Sequence, residues 1–546
     1  MRALKSVLLT GLMLISLSVF AHVGSPGVIY QGKAGPYTIM VNINPPDVIP
    51  GTANISVYVD NQQVSHIYAQ PVYWYAGNNG SPRADEALPV NGTPGQYQAT
   101  VWLMQRGVAS MRISVDGPAG KGSAIIPVMA VSTATRTMPK SLDWQLAGLG
   151  LLLVVLMITI IGASVSDGTQ APGTVRSSGP KKYMAMGIAA LILFVILYGG
   201  SAWWNSWSSN YRRFLYKAPL AHTSIIKHGQ QMLLQLSIDT TWLHNNNQLI
   251  SYVVPDHGKL MHLFLIREQT DDVFAHLHPL RKDSSDYLTV LPDLPAGRYR
   301  VFGDIVRWNG FAETITDTIT IPEKPVMQNA TQNSPLLYSD PDDTYVTSNS
   351  INDNKNAFTG KFALICGKPG TEMKLADGST ATWQHTAGTA FEANKIYPLT
   401  FMIRDPSGQP AQLQPYMGMK GHAVIMKYDG SVYVHLHPVG NYSMASQQII
   451  QNRINGNQKI PGLPDPERFR DSVDQLITKI RTMTEDERNN YLNANMKGMD
   501  MPAMNMSSDS MVTFPYAFPG PGNYRIWVQM KRDGRILNSA FDAVVE

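Results

Sequence analysis

The sequence predicts a mainly β protein: three immunoglobulin- or cupredoxin-like β-sandwich domains, two transmembrane helices, and a helical insertion in the last domain. Three observations carry this expectation. Short alternating apolar segments separated by Pro, Gly and Asn clusters recur through most of the chain, two long uncharged apolar runs interrupt them, and one strand-rich stretch returns in a second copy. At ~150 residues per domain, 546 residues have room for several cores. Lys and Arg total 44 against 40 for Asp and Glu, a balance of +4 that is too weak to draw in nucleic acid by charge. The single cysteine, Cys366, excludes an intramolecular disulfide, so stability must come from packing or bound metal.

Residues 1–21 read as a signal peptide, with Arg2 and Lys5 before an apolar stretch and Val19-Phe20-Ala21 as a small-residue cleavage pattern. Residues 22–143 then form an exported β-sandwich, with strands expected at 37–44, 53–59, 97–103 and 111–115. The uncharged runs at 144–165 and 183–204 are long enough to cross a ~30 Å hydrocarbon core and are edged by Trp144, Trp203, Trp204 and Trp207. Between them, 166–182 forms a short cytoplasmic loop. Orientation follows from the signal peptide, which places the domains on either side of the helix pair in the periplasm of a bacterial inner membrane.

Residues 205–326 and 358–546 form two further sandwiches joined by a linker at 327–357, where MQNATQNS, SDPDD and NSINDNKN lack an apolar period. These two domains are repeats. GKLMHLFLIREQTDDVFAHLHP at 258–279 parallels MKGHAVIMKYDGSVYVHLHP at 419–438, and PAGRYRVF at 295–302 parallels GPGNYRIW at 520–527. The second copy carries an insertion at 445–512. Asp465-Pro466 starts a helix there with Phe469, Val473, Leu476, Ile477 and Ile480 on one face, and Thr484 with Glu487 fits a capping box for another. This insertion is expected to sit as a helical hairpin on its own sandwich.

The repeats share a histidine pattern. A two-residue turn at Asp429-Gly430 makes residues whose numbers sum to 859 lie opposite, pairing His422 with His437 and putting His435 on the same sheet face. In the first copy a three-residue loop, Gln269-Thr270-Asp271, changes the sum to 540, and His262 again faces His278, with His276 alongside. Three imidazoles on one hairpin make a metal-ligand set. Softer donors stand nearby: His257 and Met417 each lie five residues before the first histidine of their copy, with Met419 and Met444 close in sequence. Imidazole with thioether suits copper, Cu(I) above all, while zinc is the alternative on imidazoles alone. Within the insertion, Met496, Met499, Met501, Met504, Met506 and Met511 fall among Gly, Pro, Asp and Asn, a composition that fits a thioether tract for Cu(I) better than a core. If cleavage follows Ala21, the amino group and ring of His22 chelate Cu(II), with His66 as a further donor.

The segment HVGSPGVIYQGKAGPYTIMVNINPPDVIPGTANISVYV, followed by GTPGQYQATVWL, resembles exported immunoglobulin-like domains of the YtkA-like and FixH-like type, and its leading histidine is similar to that of CopC-like copper-resistance proteins. The HLHP modules resemble domains of uncharacterised bacterial envelope proteins associated with heavy metals. The resemblance implies an exported sandwich and a copper ligand at His22. The functional expectation is a membrane-anchored periplasmic copper-binding protein for buffering, delivery or sensing. Its partners would be the inner membrane and a copper exporter, an oxidase-assembly factor or another envelope protein. No Ser-His-Asp set, phosphate-binding glycine loop or HExxH motif argues for an enzyme. Two alternatives stand beside it: a metal-free adhesion or assembly scaffold, and a copper redox enzyme built on His22.

Overall fold

The computed structural model describes residues 27–60, 63–167, 173, 179–228, 231–239, 252–323, 338–349, 363–386, 388–456, 462–495 and 510–546. The expected signal segment, His22, and Met496 to Met506 of the Met-rich tract lie outside these residues. The chain is mainly β and divides into two compact units, 131–217 and the remainder.

Among its described residues the smaller unit holds two helices, α1 (Lys140–Asp167) and α2 (Pro180–Arg213). Both are long and apolar enough to cross a membrane. They extend several residues beyond the apolar runs, because Lys, Ser and Asn at their ends keep helical geometry without needing an apolar surround. The helices touch at Gly162, where a Cβ would meet the side chain of Met186.

In the larger unit the described residues of the first domain form β1 (Val28–Ala34), β2 (Tyr37–Asn44), β3 (Gly51–Val59), β4 (His66–Tyr73), β5 (Asp85–Pro89), β6 (Gln96–Leu103), β7 (Gly107–Gly117) and β8 (Gly120–Ala130), hydrogen-bonded in the order β1-β2-β3-β6-β5-β4-β7-β8. Its alternation is legible in Tyr37–Asn44, where Tyr37, Ile39, Val41 and Ile43 point inward. Each repeat is a two-sheet sandwich. In the first, the sheet built on Gln231–Ile238 faces the sheet holding His262–Arg267, Val273–Leu277 and Gly297–Arg307. In the second, the sheet of Ile396–Arg404 and Met511–Ala517 faces that of His422–Lys427, Tyr433–Leu436 and Gly522–Arg532.

The hairpin strands are buried on both faces, and this organises the site. Leu263, Leu265, Ala275 and Leu277 fill the first repeat's own core, as Ala423, Ile425, Val434 and Leu436 fill the second's. The alternate residues Phe264, Ile266, Phe274, Val424, Met426 and Tyr433 join Phe302 and Trp527 in an apolar cluster shared by the two repeats. Tyr433 stacks on Phe302 at 4.0 Å between ring centroids, and Phe274 on Trp527 at 5.0 Å. These pairs are related by interchange of the repeats, since Phe274 corresponds to Tyr433 and Phe302 to Trp527. The repeats therefore meet through an approximate two-fold relation.

The insertion packs differently from the hairpin expected on its own sandwich. It contains α3 (Met444–Asn455), α4 (Pro466–Thr482) and α5 (Glu485–Asn495). The Asp465 cap and the Thr484/Glu487 capping box both form. However, α3 buries Ile450 and Ile454 against Val72, Trp74 and Ile125 of the first domain, and α4 inserts Val473 and Ile477 into the first repeat's core. The first domain also pairs with the second repeat: the Gln31 N–H donates to the Val439 carbonyl at 2.8 Å, beside Gly440, where a Cβ would strike the Ile29 carbonyl.

Candidate metal centre

The register sums expected from the hairpins hold. Ala423 faces Leu436 and Val424 faces His435, a sum of 859; Leu263 faces Leu277 and Phe264 faces His276, a sum of 540. Both loops are wider than expected. In the second repeat Lys427 bonds across to Val432, leaving four residues in the loop, whereas in the first the loop runs from Glu268 to Asp272 with Gln269 and Asp271 at positive φ. The added residues fall evenly around the turn, so strand register and the face of each histidine are preserved.

All the hairpin histidines point away from their own sandwich core, into the plane between the repeats. His262, His276 and His278 form one buried trio with ligating nitrogens within 4.8 Å of one another. The second trio corrects the sequence expectation, because His257 does not join its own repeat. It joins His422 and His437 of the second repeat, again within 4.8 Å, with ring centroids 5.5 and 4.9 Å from theirs. His435 stands between the trios, 5.2 Å from His262 and 4.6 Å from His437. The rings form one continuous cluster across the interface.

Polar contacts sort the two nitrogens of every ring but His422. The outer nitrogens are anchored: His276 Nδ1 lies 2.8 Å from Gln529 Oε1, His278 Nδ1 3.0 Å from Asp343, His437 Nδ1 3.2 Å from the Tyr442 carbonyl, and His435 Nδ1 3.5 Å from Asp304. The His257 ring bonds to the Met417 backbone. The inner nitrogens have no protein partner: Nε2 of His257, His278, His435 and His437, and both nitrogens of His422. A buried, unpaired polar atom costs about 1–3 kcal/mol, so converging nitrogens of this kind suit a bound cation or ordered water. With Nδ1 of His276 donating to Gln529 and Nε2 of His262 donating to the Asp256 carbonyl, lone pairs face each other between His262 Nδ1 and His276 Nε2 at 3.1 Å. Tetrahedral ligands on bonds of about 2.0–2.1 Å stand ~3.3 Å apart, so this spacing suits a shared cation.

Burial favours the neutral form of five of these rings. Burial, reinforced by neighbouring imidazoles, pushes His262, His276, His422 and His437 below the usual histidine range; burial does the same to His257 against the opposing charge of Asp256. Neutral imidazole is the form that ligates metal.

Sequence reading placed Asp340, Asp342 and Asp343 in a linker, yet they wrap the first trio. The cluster of His278, Asp340 and Asp343 has metal-like spacing, but Lys259 is fully buried against Asp340 and Asp342. Burial alone would raise Asp342; the Lys259 charge outweighs it and holds the carboxyl at about 2. We therefore read this acidic group as the charge partner of Lys259 and the anchor of His278. Its segment continues into Thr344–Ser348, which extends the first repeat's sheet beside Val273–Leu277. Short polar strands of this kind carry no apolar alternation, which is why the linker reading missed it.

Met419 and Met444 sit in the apolar core shared with the first domain, with Tyr30, Val439 and Tyr442. They pack as core residues there. Met417 is also buried. His66 is exposed and bonds Glu86 at 2.6 Å. Burial pushes the Cys366 thiol up to about 11. Met511 begins the strand Met511–Ala517 and is partly exposed.

The profile of a family described as a domain of unknown function, DUF8832, matches residues 374–458, a span covering the second repeat's hairpin. No curated protein matches significantly. Among solved structures, a 1.5-MDa bacterial ice-binding adhesin aligns at 6% identity over 91% of each chain with a TM-score of 0.14. Dimeric latent PorU from Porphyromonas gingivalis aligns at 8% identity over 91% of this chain and 32% of its own, with a TM-score of 0.13. A membrane-anchored protein from Corynebacterium diphtheriae aligns at 6% identity over 95% of each chain, with a TM-score of 0.12. Similarity at this level carries no argument about fold or function.

Proposed function

We propose that the chain is a membrane-anchored, periplasmic copper-binding protein of the bacterial envelope, which holds metal between its duplicated sandwiches. The observation that carries this reading is the convergence of His257, His422 and His437, buried, each with an inward nitrogen lacking a partner. The anchored outer nitrogens of His257 and His437 supply the outer-shell bonds typical of metal-ligating histidines. Imidazole sets accept Cu(I), Cu(II) or Zn(II); the Met-rich tract, and the absence of a clustered oxygen set free of Lys259 among the described residues, support copper over the hard cations.

The test is metal content. The full chain, purified in detergent and loaded separately with Cu(I), Cu(II) and Zn(II), should retain metal through gel filtration, with copper displacing zinc. The variant carrying His257→Ala, His422→Ala and His437→Ala should retain less while keeping its thermal transition. Background metal in the wild-type chain would refute the reading.

A further inference from the structure

The repeat relation makes a statement about Met417 that its position in the sequence does not. Aligning Pro255-Asp256-His257-Gly258-Lys259 with Pro415-Tyr416-Met417-Gly418-Met419 puts Met417 at the counterpart of His257. The backbones agree. His257 and Met417 both have φ +50, the glycines that follow have φ +78 and +80, and each turn closes through paired backbone bonds, Asp256 with Lys259 and Tyr416 with Met419. Positive φ at both central residues is the tight hairpin turn that only a Gly at the second position tolerates easily. Both side chains thus leave matching turns in matching directions.

Several contacts across the interface follow the interchange of the repeats. Phe274 stacks on Trp527 as Tyr433 stacks on Phe302. His276 bonds Gln529 as its counterpart His435 meets Asp304, and Gln529 and Asp304 are themselves counterparts, facing His422 and His262 across their sheets. His257 leaves its own repeat to complete the trio of the other. The same operation carries Met417 from the second repeat to the first trio. Met417 is 3% exposed, and unlike Met419, Met426, Met444 and Met530 it joins none of the apolar cores among the described residues.

We infer that Met417 is the fourth ligand of the site formed by His262, His276 and His278, so that the interface holds two unlike sites. One is all imidazole, completed by His257; the other adds a thioether. The thioether site favours Cu(I), since soft sulfur selects the soft ion, while the imidazole site accepts Cu(II) or Zn(II) as readily. This inference rests on the metal-binding reading above and assigns one ligand within it.

The experiment uses the full chain in detergent with Met496, Met499, Met501, Met504, Met506 and Met511 replaced by leucine, which removes sulfur from the Met-rich tract. After loading with Cu(I), X-ray absorption should show Cu–S scattering in this background. Met417→Leu, which keeps a similar volume and the same backbone demand, should abolish that scattering. It should also weaken Cu(I) binding at one site by at least the ~10-fold that loss of an outer-shell partner costs, while Zn(II) content stays unchanged. Met417→His should keep both metals without sulfur scattering. Scattering that survives Met417→Leu, or is missing from the background chain while copper is bound, overturns the assignment and leaves metal binding intact. A background chain that binds neither metal overturns the metal reading itself and this assignment with it.

Discussion

The two repeats fold the same hairpin and then surround it with opposite materials. Around the first trio stand Lys259, Asp340, Asp342 and Asp343, a buried charge network that fixes His278. The second trio has mostly apolar and main-chain material around it: Met419, the counterpart of Lys259, lies with Val439, Tyr442 and Met444 against the first domain, His437 is anchored by a carbonyl, and the charged neighbour is Asp256, 3.8 Å from His257 Nε2. Duplication preserved what sets imidazole geometry, namely strand register and the His/Met turn. It left free what sets the environment. Two sites of one ancestry can therefore differ in affinity and in preferred oxidation state.

The sharpest way to break this contrast is to remove Lys259. Lys259→Met makes the first repeat resemble the second, but leaves Asp340 buried without its lysine and Asp342 with Arg488 at 3.9 Å as its remaining cation, at a cost of about 3–5 kcal/mol. Chemical denaturation of the full chain should show the loss. A variant as stable as wild type would mean that the carboxylates find other partners.

A smaller effect separates the repeats by their outer-shell bonds. Gln529 belongs to the second repeat yet anchors His276 of the first. Gln529→Leu should weaken metal binding at the first trio by about 10–100-fold and leave the second unchanged, measured by competition titration. Weakening of the second trio instead would show that Gln529 acts through its facing strand residue, His422.

Acidification acts on both repeats through the imidazoles. His257, His262, His276, His422 and His437 are held below the usual range when folded, so only the unfolded chain takes up their protons near pH ~6.5. Their contribution to stability is complete above that pH and declines as pH falls below it. Denaturation midpoints of the metal-free chain should drop between pH ~7.5 and ~5.5; a flat or rising midpoint would contradict neutral buried rings. The smallest change is Met419→Leu, a volume-conserving core swap that should cost under about 1.5 kcal/mol and leave metal content alone. A loss of copper there would return Met419 to the ligand set.

The hairpins were legible because alternation, turn chemistry and number sums are local properties: they placed His262, His276 and His278, and His422, His435 and His437, on shared faces without knowledge of the rest. The apolar alternate residues Phe264, Phe274 and Tyr433 were a further signal, since strands apolar on both faces must be covered on both. What covers them is a tertiary fact. The exchange of His257 between repeats, the arrival of Asp340 to Asp343, and the docking of α3 on the first domain depend on how sandwiches meet, which spacing along the chain does not encode. The Met residues show the same limit. Met417, Met419 and Met444 look alike in sequence, yet Met419 and Met444 are committed to a core whose other side is a different domain.

The exchange of His257 is the central claim, and counting ions in three variants tests it most directly. His257→Ala in one repeat and His437→Ala in the other remove ligands from a single site, so each variant of the full chain should lose the same one ion. Combining both substitutions should lose no more than either alone. If the double variant instead forfeits one ion from each repeat, His257 serves its own hairpin and the sharing of a site across the interface is wrong.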